Sequence, residues 1–188
     1  MPADLEVKGH FLTFVKSWVL ERWGEEGFRK FLRELPGDLA GVLAGEPLAS
    51  TWYPHSYWGE VALGVDRVFG RGDYSLIEEG GRLHARVQMD RIYPLVFGEG
   101  PRAVLNNLGI IWRLNFRPGW ARARFAGDLE VYVLFGGFKF ERKYWPVWRG
   151  TKAFFEELTV KAGLKGEAEI VEPEAGEDWV VGFRWRWS

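Results

Sequence analysis

Residues 117–136 read RPGWARARFAGDLEVYVLFG, and here the periodicity of the chain changes. Ala121, Ala123 and Phe125 alternate with Arg122 and Arg124. Leu129, Val131, Val133 and Phe135 then alternate with Glu130, Tyr132 and Leu134. A period of two marks strands with one face on a core. A two-residue turn at Gly127-Asp128 would oppose Phe125 to Glu130 and mix the faces. A three-residue loop of Ala126, Gly127 and Asp128 opposes Phe125 to Leu129 and Arg124 to Glu130, so that hairpin is expected.

Upstream the pattern is helical. Phe11, Leu12, Val15, Trp18, Val19 and Trp23 form an apolar stripe over 5–23, Gly24 closes it, and a second amphipathic helix is expected over 25–35. A loop carrying Trp52, Tyr53 and Pro54 leads into a helix over 55–69. Two more helices are read from Tyr74 to about Tyr93 and onward from Pro101. Downstream, a helix over 145–162 precedes strands at 167–172 and 179–187. In the last strand Trp179, Val181, Phe183, Trp185 and Trp187 share one face. The expected fold class is α+β, in the order helices-ββαββ, with an N-terminal helical layer packed on a four-stranded antiparallel sheet. One domain over 1–188 is expected, mainly helical to 117 and ββαββ from 118.

Composition excludes more than it assigns. The 188 residues are 47% apolar and 16% aromatic, with eleven tryptophans and no cysteine. Disulfides, thiolate nucleophiles, cysteine-type zinc sites and iron–sulfur clusters are therefore excluded. A net charge of -1 gives no bulk attraction to nucleic acid or to an anionic membrane. The first ten residues lack a basic region followed by an apolar one, and apolar runs such as FLTFVKSWVL fall short of a span, so a cytoplasmic protein without membrane partner is expected. Asn106, Asn107, Asn115 and Gln88 are the only amide side chains, and glutamate and arginine are abundant, as in thermophiles.

No nucleophile elbow, phosphate loop or dinucleotide fingerprint occurs, so no catalytic residue and no enzyme activity is expected. His10, His55 and His84 fall on different elements, without the spacing of a metal site. His84, in an arginine-rich helix, is read as solvated. Glu78-Glu79 and Glu156-Glu157 are read as solvated helix faces. Most aromatics are read as core. Trp52, Tyr53, Tyr57 and Trp58 stand apart, because an aromatic loop with proline makes a poor core and a good pocket lip. With Trp112, Tyr144 and Trp148 they form the candidate ligand site, a pocket between the helical layer and the sheet.

The segments VKGHFLTFVKSWVLERWGEEGFRKFLREL, TWYPHSYWGE, WRGTKAFFEEL and the final FRWRW resemble a group of uncharacterised domains known as a paralogous family in myxobacteria. That group is similar in turn to the set holding haem–nitric-oxide-binding, four-vinyl-reductase and TRAPP-type domains. The resemblance implies a ligand-binding or protein-docking α+β domain, often dimeric. The haem-binding branch uses a proximal histidine and a Tyr-x-Ser-x-Arg motif for the propionates. Here Tyr74-Ser75 and Tyr93-Pro94 lack the arginine. The metal site of the vinyl-reductase type needs cysteine.

The leading expectation is a non-enzymatic regulatory or sensory domain. It binds an apolar small molecule or a protein partner, forms a homodimer and carries no cofactor or metal. A haem or tetrapyrrole gas-sensor-like protein is the alternative, with His10 at the helix start as axial ligand. A single-stranded nucleic-acid platform is a further alternative.

Overall fold

The period-two segments build a four-stranded antiparallel sheet from β4 (Trp120–Phe125), β5 (Glu130–Gly136), β6 (Gly166–Val171) and β7 (Trp179–Trp187), in the order β4-β5-β7-β6. The computed structural model describes residues 4–92, 101–174 and 178–188. Before the sheet come β1 (Glu6–Lys8), α1 (His10–Arg33), α2 (Gly37–Ala44), β2 (Trp52–Pro54), α3 (His55–Phe69) and α4 (Ser75–Val87). A π turn (Gln88–Ile92), α5 (Pro101–Asn106), α6 (Leu108–Asn115) and β3 (Phe116–Arg117) follow. A 3-10 turn (Arg142–Tyr144) and α7 (Val147–Lys161) separate the two hairpins of the sheet. The α+β class is as expected. Tyr93 and Pro94 lie outside the described residues.

All five tryptophan-face residues of β7 are buried, and Val181, Phe183 and Trp185 are wholly so. The first hairpin differs from expectation by a two-residue slip: Phe125 opposes Val131 and Arg124 opposes Tyr132. A slip of two keeps every side chain on its own face, so the apolar pattern cannot separate the registers. Ala126 and Gly127 both donate to the Glu130 carbonyl, which lengthens the loop. Glu130 is thereby released from Arg124 and pairs with Arg184 at 3.0 Å.

A second sheet, of three short strands in the order β2-β1-β3, was not expected. Its strands are two or three residues long and carry no readable alternation. Thus 6–8 is a strand rather than the start of a helix, and the Trp52-Tyr53-Pro54 loop pairs with it. Gly24 interrupts α1 with a φ of 65° that glycine tolerates, so the expected break is a kink within one long helical run.

Two large cores result. One packs α5, α6 and α7 on the sheet around Trp148, Phe155, Phe183 and Trp185. The other joins α1, α2 and α3 around Leu12, Phe31, Leu39 and Val61. Helix α4 bridges them. A Cβ on Gly81 would lie 2.0 Å from the Gly150 carbonyl oxygen, so glycine lets α4 and α7 meet backbone to backbone. The Gly80-Gly81 pair, unfavourable for an isolated helix, is explained by that contact. Arg82–Glu156, Arg86–Glu157 and Arg149–Glu78 ion pairs flank the seam, so these glutamates face arginines across a helix pair rather than open solvent.

Candidate functional site

A cavity of about 130 Å3 lies where the helical layer meets the sheet. Its walls come from α1 (Phe11, Phe14, Trp18), α3 (Trp58), α4 (Gly80, His84), α6 (Trp112, Asn115) and α7 (Phe154), with Gln88 from the π turn. Small residues make the space: a Cβ at Gly80 would come within 3.1 Å of the Trp18 ring.

His84 is buried, not solvated, and its ring centroid lies 4.7 Å from Phe11, 4.8 Å from Phe14 and 6.1 Å from Phe154. Burial and the neighbouring His10 lower its pKa to about 3, so the imidazole is neutral. The fold stacks His84 on His10 at 5.8 Å, although the two are remote in sequence. His10 is also shifted down, chiefly by burial.

A chain of hydrogen bonds fixes both tautomers. Asn115 donates its Nδ2 to the Ile111 carbonyl at 2.6 Å, so its Oδ1 faces His10. His10 Nε2 donates to that oxygen at 2.6 Å and leaves Nδ1 as an acceptor. The Gln88 amide then donates to His10 Nδ1 at 3.4 Å and to His84 Nε2 at 3.0 Å. Among the described residues, Gln88 Oε1 and the indole nitrogen of Trp112 find no partner, and both residues line the cavity.

Of the residues expected to bind ligand, Trp58 and Trp112 meet in this lining. Trp52 lies on β2 with Lys8 and Arg117 over its ring at 4.1 and 4.5 Å. The Tyr53 hydroxyl accepts from the Leu48 amide, and the Tyr57 hydroxyl donates to Asp38. Tyr144 packs on Gly59 and donates to Glu60, and Trp148 stacks in the sheet core beside Phe135 and Phe183. These five stand outside the described lining. His10 is also absent from it, with both nitrogens engaged. His84, Gln88, Asn115, Phe14 and Phe154 were missed. His55, at the start of α3, is buried against Phe140 and Tyr144 with a pKa lowered to about 4. Among the described residues no group of three or more His, Cys, Asp or Glu converges. No helix there is long and apolar enough to cross a membrane.

The chain is similar over 96% of its length to the Fe(II) unliganded H-NOX protein from K. algicida, which it covers to 96%, with a TM-score of 0.71 and 11% identity. The fold is that of an H-NOX domain. A single-residue mutant of the T. tengcongensis H-NOX matches with a TM-score of 0.66 at 12% identity, over 96% of this chain and 97% of that one. An H-NOX structure probing the function of haem distortion matches at 0.68 and 11%, over 96% and 95%. No family model matches the chain. No curated protein matches it either. The haem–nitric-oxide-binding set is thus met in fold, while the myxobacterial group remains a likeness of sequence segments. The expectation of no cofactor is corrected by these H-NOX neighbours, which point to haem.

The lining can be tested against that group. His84 offers a neutral imidazole between aromatic rings, and its Nε2, which accepts from Gln88, would have to give up that bond to take haem iron. No lysine or arginine lies in the described lining, so propionates would have to reach its rim. The cavity suits a guest of about benzene size. The imidazole suits haem iron once Gln88 releases it, and the macrocycle is larger than the cavity of about 130 Å3.

Proposed function

We propose that this chain is a non-enzymatic, haem-dependent sensory domain with the H-NOX fold, its ligand cleft lying between the helical layer and the sheet. The observation that carries the reading is the neutral, buried imidazole of His84 in the cavity wall at the junction of the two layers. His84 would hold the iron, while Phe11, Phe14, Trp58 and Phe154 would pack against the ring system and exclude water. Gln88, held in turn by His10 and Asn115, fixes the imidazole by donating to Nε2, and iron at that nitrogen would displace the Gln88 amide. When bound, haem supplies an iron site whose diatomic ligands are selected by the polarity and access of the pocket.

Titration of the purified protein with haem, followed by visible absorbance, tests this. A saturable Soret band at one haem per chain is expected. His84→Ala should shift or abolish it, while His55→Ala should leave it in place. A protein that stays colourless with stoichiometric haem overturns the proposal.

A further inference from the structure

Two residues of the largely apolar lining carry buried polar atoms of opposite character. Gln88 and Trp112 are each 3% exposed, and both line the cavity. Among the described residues, Gln88 Oε1 lacks a donor and the Trp112 indole N–H lacks an acceptor. A buried unpaired polar group is costly, so such atoms in a cavity mark what its occupant should provide. Gln88 is tied through His10 to Asn115, and Asn115 follows Trp112 by about one turn of α6.

Much of the lining is aromatic. Phe14, Trp18, Trp58 and Phe154 offer faces and edges at the distances aromatic guests use. The volume, about 130 Å3, is near that of a cavity that admits benzene. A hydroxyl both donates and accepts, and so answers both orphan atoms.

We infer that the haem-free cleft is a binding site for a small hydroxylated aromatic of phenol size. Its ring lies among Phe14, Trp18, Trp58 and Phe154, and its hydroxyl is directed to Gln88 and Trp112. The inference rests on reading this cleft as the ligand site and adds a second ligand class that competes with haem.

Calorimetric titration of the haem-free protein with phenol and with benzene, each to about 10 mM, tests it. Phenol should bind with one-to-one stoichiometry, at least about tenfold tighter than benzene. Gln88→Leu and Trp112→Phe should each bring the two affinities to within about threefold, with circular dichroism confirming the fold. Equal binding of phenol and benzene by the parent protein overturns the inference, as does no binding of either, the result expected if water alone pairs the two atoms. Haem uptake without phenol preference removes this inference and leaves the haem reading standing. Phenol preference in a protein that ignores haem does the reverse.

Discussion

His84 and His55 are kept neutral by burial, and that has a price in acid. Folding lowers their pKa from 6.5 to about 3 and about 4, so below about pH 6.5 the unfolded chain binds more protons than the folded one. Their contribution to stability is whole above that pH and is lost as pH falls toward 4 for His55 and toward 3 for His84. Each costs roughly 1 kcal/mol per pH unit within its window. Thermal melts between pH 7.5 and 4.5 should show the melting temperature falling below pH 6.5, and His84→Leu should flatten the fall. Equal slopes in the parent and the variant would contradict the neutral, buried imidazole. Sequence spacing could not reveal this residue, since Arg82 and Arg86 beside it suggest a solvated face while the helix turns His84 inward. A faint signal did exist. In a chain with four amide side chains, Gln88 and Asn115 are two of them, and both belong to the histidine chain.

At the scale of elements, the strongest constraint is the meeting of α4 and α7 at Gly81 and Gly150. Gly81→Ala puts a methyl group into the Gly150 backbone, and the overpacking should destabilise the fold by about 1–3 kcal/mol, beyond alanine's helical gain of about 1. Gly41→Ala in α2 meets nothing within 4 Å and should stabilise by about 0.5–1 kcal/mol. Urea unfolding of both variants checks the pair, and the same sign of change in both would refute the close crossing. The sequence showed each long element, because a stripe of Phe11, Val15 and Trp18 or an alternation from Trp179 to Trp187 repeats often enough to read. It hid β1, β2 and β3, which are too short to repeat. It also hid the register of the first hairpin, where both candidates bury the same face.

For the whole molecule, two cores meet at a small aromatic cleft bridged by one histidine-bearing helix. The expected helical layer over a four-stranded sheet put a cleft where the structure has a cavity, and Trp58 and Trp112 of the expected residues line it. Trp52, Tyr53 and Tyr57 were drawn elsewhere by a strand pairing, a backbone amide and Asp38 that only the fold reveals. The missing cysteine ruled out one metal chemistry, yet it left imidazole available, and the likeness to H-NOX structures turns attention there. Haem is proposed to enter between the layers, where the cavity of about 130 Å3 is smaller than the macrocycle. A crystal structure of the protein after haem loading tests this most directly. Haem is expected against Trp58, His84 and Phe154, with His84 Nε2 released from Gln88 and on the iron. Haem seated on the outer surface, or an unliganded His84, would contradict the account.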